Sequence, residues 1–172
     1  MIIGFIGNLG SGKTISLVRM AYSYYKKGYK VYSNIKLSFP HETLSFKDFE
    51  NYARSNEQFT KSFFLIDEIH VALDSRRSGS KTNIVISHLI LQSRKRQIQI
   101  GFTTQHFSQI DMRLRNQTDI VGVCSAKTFK QYKIISVNYM VFLAQGVTQH
   151  LKRFLANKYY GLYDTNEIVS IT

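Results

Sequence analysis

The sequence is poor in residues that crosslink or interrupt a chain. It has 172 residues with one cysteine, one proline and no tryptophan. Cys124 alone cannot form an internal disulfide, which indicates a reducing compartment. No apolar run approaches the roughly 20 residues needed to span a bilayer. We therefore expect a cytoplasmic chain without a membrane span, folded as one domain over residues 1–172, with a core (1–124) and a C-terminal β-rich extension (125–172).

Acidic residues are also scarce. The sequence has eleven Asp and Glu residues and 23 Lys and Arg residues, so the formal net charge is +12. Such a charge attracts polyanions, and an enzyme acting on small acids has no need of it. A basic surface kept for solubility, or one shaped by AT-rich codon usage, would give the same balance. The charge favours nucleic acid as a partner.

The segment "GNLGSGKT" fits the phosphate-binding loop G-x-x-x-x-G-K-[ST]. An apolar strand-like run precedes it, and helical spacing follows from Lys13 to a stop at Gly28. Glycines let several backbone N–H groups point at phosphate oxygens, and the helix adds the positive end of its dipole. A chance glycine-rich turn is the alternative. The predicted nucleotide-binding residues are Gly7, Asn8, Leu9, Gly10, Ser11, Gly12, Lys13 and Thr14.

The side chains of this loop also predict the ligands, ATP and Mg²⁺. Lys13 would reach the β- and γ-phosphates, and the Thr14 hydroxyl would contact Mg²⁺. In "KSFFLIDEIH", a buried strand ends in two acids, at the edge where α/β sheets bind ligands. Asp67 would hold Mg²⁺ together with Thr14, and Glu68 would polarise the attacking water. Two solvated acids capping the next helix are the alternative.

Glu68 also separates classes of enzyme. A nucleotide kinase needs no acid there to activate water, whereas an ATP hydrolase does. A GTPase would carry N-K-x-D, but the nearest match, "NKYY", has Tyr160 in the place of the aspartate. The sequence therefore predicts an ATPase.

Strands alternate with helical runs up to about Val123, which predicts an α/β fold with a mostly parallel sheet flanked by helices. From Thr128 onward, "FKQYKIISVNYMVFL" has strand character and predicts an antiparallel C-terminal addition. The segments "LIDEIHVALDSRRSGSKTN", "LILQSRKRQIQIGFTTQHFSQIDMRLRNQTDIV" and "YYGLYDTNEIV" resemble the FtsK–HerA superfamily of P-loop ATPases. Within it they resemble the Zot-like assembly ATPases of filamentous phages and small ATPases of archaeal viruses. This implies a P-loop NTPase fold of the ASCE type.

The resemblance also implies further catalytic residues. Gln105 follows the strand-like "IQIGFTT" and would sense the γ-phosphate, although it could equally cap a loop. An arginine from a neighbouring subunit would stabilise the transferred phosphoryl group. Arg94 and Arg115 are better candidates for this arginine than Arg96 and Arg113. The alternative for Arg94 and Arg96 is that the helix dipole favours cations at a helix C-terminus without any catalytic role.

The basic loop "DSRRSGSKTN" is a candidate nucleic-acid contact. In ring-shaped translocases, such loops can touch the phosphate backbone independently of sequence, which would involve Arg76, Arg77 and Lys81. A solvated surface loop is the alternative. The tyrosines Tyr22, Tyr24 and Tyr25 are predicted to cover the core edge rather than to stack on bases.

Together these features predict an ATPase that translocates or packages double-stranded DNA for a virus or mobile element, as a homo-oligomeric ring. The alternatives are a Zot-like assembly or export ATPase acting mainly on protein, with viral structural or membrane proteins as partners, or a non-motor nucleotide switch. Zot-like proteins usually continue into a membrane-spanning segment. This sequence has no such segment, so either it ends before one or it is a soluble relative that packages or translocates DNA. The strand-like "EIVSI" near the end favours the second interpretation.

Overall fold

A computed structural model describes residues 1–44, 61–72 and 97–164 of the chain. These residues form eight strands: β1 (Ile2–Ile6), β2 (Lys30–Ser33), β3 (Glu42–Thr43), β4 (Ser62–Ile66), β5 (Gln99–Thr104), β6 (Ile120–Phe129), β7 (Tyr132–Leu143) and β8 (Gly146–Leu155). Their helices are α1 (Lys13–Lys26), α2 (Ile69–Ala72) and α3 (Met112–Gln117). Short 3₁₀ turns follow at Phe107–Gln109, Ala156–Lys158 and Tyr160–Leu162.

The eight strands form one sheet in the order β3-β2-β4-β5-β1-β6-β7-β8. The strands from β3 to β6 are parallel, whereas β7 and β8 are added to β6 as antiparallel hairpins. Strand β5 lies between β1 and β4, so the strand before the glycine-rich loop and the strand before the two acids flank the same neighbour. This arrangement confirms the predicted α/β P-loop fold of the ASCE type and its antiparallel C-terminal addition.

The central parallel strands β1, β2, β4 and β5 are mostly buried on both faces because packed elements cover them. Side chains of β4 alternate between two apolar clusters, with Phe63 in one and Phe64 in the other. Leu17 and Val18 of α1 pack in the cluster of Phe63, while Leu114 of α3 packs in that of Phe64. The sheet therefore separates two core layers, with α1 on one face and α3 on the other.

Helix α1 begins and ends as its sequence predicts. It begins directly after Gly12. Beyond its last residue, the amide of Gly28 donates to the Tyr25 carbonyl, and Gly28 itself has a φ of +78°. This left-handed conformation suits glycine and ends the helix. None of the helices in the described ranges is long and apolar enough to cross a membrane.

Two predicted segments cannot be compared with the structure. The basic loop "DSRRSGSKTN" and the final strand-like "EIVSI" lie outside the described residues.

The close approach of α1 to β5 gives a test of the fold. A Cβ at Gly101 would lie 2.4 Å from Leu17 Cδ1 and 2.9 Å from Phe63 Cζ, so Gly101→Ala overpacks the core. We expect a loss of about 1–3 kcal/mol in the free energy of unfolding, measured by urea titration. Gly161→Ala is the control, because a Cβ there meets nothing within 4 Å. Equal stability of both variants would contradict this packing.

Candidate active site

The loop between β1 and α1 has the backbone that a phosphate cradle needs. Gly7, Gly10 and Gly12 have φ values of +144°, +73° and +92°, in the region that favours glycine. A Cβ at Gly7 would lie 2.7 Å from the carbonyl oxygen of Cys124. The Ser11 hydroxyl is buried and has no hydrogen-bond partner among the described residues. The loop therefore turns where only glycine fits, and it keeps a polar group available for a ligand.

The lysine and threonine at the start of α1 are held by different contacts. The Lys13 ammonium donates to the carbonyl of Asn8 at 3.0 Å, within the loop itself. The Thr14 hydroxyl donates to the Asp67 carboxylate, at 3.0 Å from Oδ1 and 3.2 Å from Oδ2. The structure thus brings together the two residues predicted to hold the metal. Hydroxyl and carboxylate oxygens are the ligands that Mg²⁺ prefers, so this pair fits the ion.

The Asp67 carboxylate is buried, with 7% of the residue exposed. Burial raises the pKa of its carboxyl above the ordinary value, and hydrogen bonds from Thr103 and Thr14 oppose this rise. The Thr103 hydroxyl on β5 donates to Oδ1 at 2.6 Å. Two hydroxyl donors therefore stabilise the charged form that a metal ligand needs.

Asn34, which follows β2, fixes the backbone of Asp67. Its side-chain amide donates to the Asp67 carbonyl at 2.9 Å, and its oxygen accepts from the Asp67 amide at 2.7 Å. This pair of hydrogen bonds holds both peptides that flank Asp67. No sequence motif pointed to Asn34 or Thr103, although Asn34 follows β2 and Thr103 is the next-to-last residue of β5.

Glu68 has a backbone conformation that is uncommon for a residue with a side chain. Its φ is +50°, and its amide donates to Thr103 Oγ1 at 2.8 Å. Strained conformations of this kind persist only where neighbouring contacts hold them, often at functional sites. Glu68 lines a cavity of about 170 Å³ together with Lys13 and Thr14. The predicted base, phosphate ligand and metal ligand therefore face one space.

The C-terminal addition forms the other wall of this cavity. Lys133, Ile135, Tyr160 and Tyr163 also line it, and a Cβ at Gly12 would lie 2.5 Å from Ile135 Cδ1. Burial raises the pKa of Tyr163 to about 12, and the charges of Asp67 and Tyr160 add to the rise. No motif assigned these four residues to the site. Lys133 and Ile135 reach it through the pairing of β7 with β6, whereas Tyr160 and Tyr163 follow β8, where Tyr163 bridges to Leu37.

The remaining predicted site residues are not brought into this cavity by the described contacts. Gln105 directly follows β5 and is exposed, so its sensor role stays a prediction.

The carbonyl of Arg115 accepts from the Thr118 amide, and Asp119, the residue after Thr118, pairs with Ile2 at the amino end of β1. Arg115 therefore lies towards the edge of the sheet opposite the loop. Its Nε is buried without a partner in the described part of the chain. Outside the described residues lie Arg76, Arg77, Lys81, Arg94 and Arg96.

Solved structures with the same fold confirm the architecture. The N-terminal domain of zonular occludens toxin from Neisseria meningitidis is 22% identical, with a TM-score of 0.68 over 95% of this chain and 98% of that chain. The genome packaging NTPase B204 from Sulfolobus turreted icosahedral virus 2, in complex with ATP-gammaS, is 12% identical, with a TM-score of 0.62 over 87% and 95%. FlaH, a flagellar accessory protein from Methanocaldococcus jannaschii, is 11% identical, with a TM-score of 0.55 over 88% and 89%.

The sheet order, the glycine-rich loop and the paired acids define the class of this protein as a P-loop ATPase. The sequence profile of the zonular occludens toxin (Zot) family matches residues 1–166. The chain belongs to the Zot family. No curated protein matches the sequence.

Thr103 provides a test of the site. Thr103→Val keeps the shape of the side chain but removes the donor to Asp67 and the acceptor for the Glu68 amide. Without this acceptor the Glu68 amide is left unsatisfied, at a cost of about 1–3 kcal/mol, and Glu68 is no longer held in its conformation. We therefore expect ATP turnover to fall by at least about tenfold. Steady-state phosphate release measures it.

Thr104→Val is the matched control, because Thr104 is equally buried but donates only to the His106 carbonyl. We expect it to keep most of its turnover. A similar loss in both variants would mean that Thr103 acts only through stability.

Proposed function

We propose that this chain uses ATP hydrolysis to move DNA and that it does so as a homo-oligomeric ring. The observation that carries the proposal is the cavity shared by Lys13, Thr14 and Glu68, with Asp67 bonded to Thr14 at its edge. A protein that only bound nucleotide as a switch would not need a carboxylate placed to activate water. The site therefore favours repeated turnover.

Each residue of the site has a role in the proposed reaction. The loop amides and Lys13 bind the phosphates, and the Thr14 hydroxyl with the Asp67 carboxylate would hold Mg²⁺. When bound, Mg²⁺ neutralises charge that develops on the phosphate oxygens. Glu68 accepts a proton from the attacking water, and Gln105 would orient that water. Lys133 adds a positive charge on the opposite wall of the cavity.

Charge supports DNA as the polymer that is moved. The net charge of +12 provides the sequence-independent attraction on which translocation along a phosphate backbone depends. The similar fold of B204, a protein described as a genome packaging NTPase, is consistent with this role.

A second candidate is an assembly ATPase that acts on viral structural or membrane proteins. Large apolar side chains are exposed on the β7–β8 hairpin, where Phe142, Leu143, Val147 and Leu151 are 46–56% exposed. Exposed apolar residues close together favour contact with protein. The same surface would also serve contacts between subunits of a ring.

The response of ATP turnover to DNA distinguishes these candidates. We expect DNA to raise the turnover rate severalfold at low salt, and we expect the stimulation to weaken as salt rises, because binding releases counterions. Phosphate release with and without DNA, at several salt concentrations, measures it. If DNA neither binds nor changes the rate, the DNA motor is wrong and the assembly ATPase becomes the better proposal.

Two variants separate binding from chemistry in this assay. Lys13→Ala removes the phosphate ligand and should abolish ATP binding. Glu68→Gln should keep ATP binding and lose about 10²–10⁴-fold in turnover, since it removes only the base. Titration calorimetry with ATP compares them. Equal loss of affinity in both variants would contradict the role of Glu68.

Mixing experiments test the ring and the role of Arg115. If Arg115 acts on a neighbour's nucleotide, Arg115→Ala subunits mixed into wild type should reduce activity more than in proportion to their fraction. An arginine of this kind is worth about 10³–10⁵ in rate. Arg113→Ala, on the same helix, is mixed in parallel, because exposed Arg113 is the lower-ranked candidate for the same role. A linear decrease for Arg115→Ala would mean that Arg115 supports no neighbouring site.

A further inference from the structure

The segment after β8 runs past α1 and returns to the residues that follow β2. We call residues 156–163 the strap. The strap contacts α1 on the way, the Leu162 carbonyl accepts from the Ser38 amide at 2.9 Å, and Tyr163 pairs with Leu37 as an isolated β-bridge. Backbone contacts therefore fasten the far end of the strap.

The near end of the strap is fastened to α1 by side chains. Ala156 is completely buried, and the Tyr159 amide donates to its carbonyl at 2.8 Å. The Tyr159 hydroxyl accepts from Arg19 Nε at 3.2 Å, and Arg19 Cζ lies 4.7 Å from the ring centre of Phe154. Tyr160 follows these contacts directly, so the chain is held on both sides of it.

Other tyrosines near α1 have rings that are already covered. A larger cavity, of about 1020 Å³, lies between α1 and the β7–β8 hairpin, and four tyrosines line it. Each of the four packs against another aromatic ring and has a cation over it: Tyr22, Tyr24, Tyr139 and Tyr159. These rings are therefore occupied by the protein itself.

Tyr160 differs from these four tyrosines. It belongs to neither core cluster, 38% of the residue is exposed, and it lines the nucleotide cavity together with Lys13 and Thr14. Within the described ranges, no aromatic ring stacks on Tyr160 and no cation lies over it. Its ring can therefore take a flat ligand beside the phosphate loop.

The strand order places Tyr160 at one end of the nucleotide site. Asp67 and Glu68, after β4, define the end where Mg²⁺ and the γ-phosphate would lie. Strands β4 and β7 are on opposite sides of β1, which leads into the phosphate loop. The loop holds the phosphates between the two sides, so the base would lie on the side of β7. Ile135 of β7 and Ala156 line the cavity there and add apolar surface beside Tyr160.

We propose that the ring of Tyr160 stacks on the base of the bound nucleotide, an inference that rests on the nucleotide site of the proposed function and needs neither DNA nor a ring. Stacking requires only the π face of the base, and one such contact is worth about 5–100-fold in affinity. The C-terminal addition thus completes the substrate site that the loop and the two acids begin.

The same residue accounts for a feature of the sequence. Tyr160 ends "NKYY", where a GTPase would carry the aspartate of N-K-x-D. The Asn157 side chain is already bonded, because its oxygen accepts from the Lys133 amide at 3.0 Å and its nitrogen donates to the Gln131 carbonyl at 3.3 Å. This segment therefore presents a ring face to the nucleotide in place of the polar groups that would bind the edge of guanine.

Calorimetry with two ligands tests the stacking. ATP and inorganic tripolyphosphate both carry three linked phosphates, but only ATP carries a base. Tyr160→Ala should weaken ATP binding by about 5–100-fold and leave tripolyphosphate binding unchanged, whereas Tyr160→Phe keeps the ring and should bind both ligands as wild type does. Tyr132→Ala is the matched control, because Tyr132 is also exposed, at 44%, but lines neither cavity.

A fluorescent base gives a second readout. The chain has no tryptophan, so 2-aminopurine riboside triphosphate can be excited without exciting the protein. Stacking on an aromatic ring quenches the emission of this base. We expect quenching on binding to wild type, Tyr160→Phe and Tyr132→Ala, and much less quenching at saturation with Tyr160→Ala.

Steady-state kinetics separates this role from one in the chemical step. A contact made equally in the ground state and the transition state changes KM and leaves kcat in place. Tyr160→Ala should therefore raise the KM for ATP by about 5–100-fold and keep the kcat of wild type.

Each other result has a separate meaning. Unchanged ATP affinity in Tyr160→Ala, an equal loss for ATP and tripolyphosphate, or an equal loss in Tyr160→Phe would overturn the stacking and leave the proposed function in place. If tripolyphosphate binds too weakly to measure, the quenching decides. If Lys13→Ala also keeps its ATP affinity, the nucleotide site itself is wrong, and the proposed function fails with it.

Discussion

The buried carboxylate of Asp67 connects four elements of this structure. It accepts hydrogen bonds from Thr14 at the start of α1 and from Thr103 on β5, and Asn34 after β2 binds its backbone on both sides. Burial of an ionised group is costly unless such donors surround it. Helix α1 and strand β5 supply the donors to the carboxylate, and the residue after β2 holds the backbone of Asp67, so the order of the strands and the chemistry of the site form a single constraint. A change in strand order would leave this charge buried without its partners.

The same contacts determine the conformation of Glu68. Thr103 uses one oxygen to donate to Asp67 and to accept from the Glu68 amide, while Glu68 holds a φ of +50°. The residue next to the proposed metal ligand thereby lines the nucleotide cavity. A hydrogen bond to an adjacent strand offsets the strain in the backbone, and it would keep the proposed base in place before substrate arrives.

The antiparallel addition does more than extend the sheet. Ile135 of β7 packs against Gly12 of the phosphate loop. Tyr139 lies four residues further along the same strand and lines the larger cavity between α1 and the β7–β8 hairpin. Helix α1 also contacts both cavities, since it begins at the phosphate loop and its last residues line the larger cavity between α1 and the β7–β8 hairpin. Two packed elements therefore contact both cavities.

The sequence by itself determined the local parts of the site. Gly7, Gly12 and Lys13 stand at fixed spacing between an apolar strand and a helix, and Asp67 and Glu68 directly follow a buried strand, so short-range patterns suffice to identify them. Only the tertiary structure decided the roles of Asn34 and Thr103, the position of Tyr163 beside the nucleotide cavity, and the larger cavity between α1 and the β7–β8 hairpin. These depend on which strands become neighbours: the hydrogen bond from Thr103 to Asp67 joins residues 36 positions apart, and that from Thr14 to Asp67 joins residues 53 apart. Spacing along a chain encodes turns and periodicity, whereas contacts over such separations are fixed by strand register and core packing.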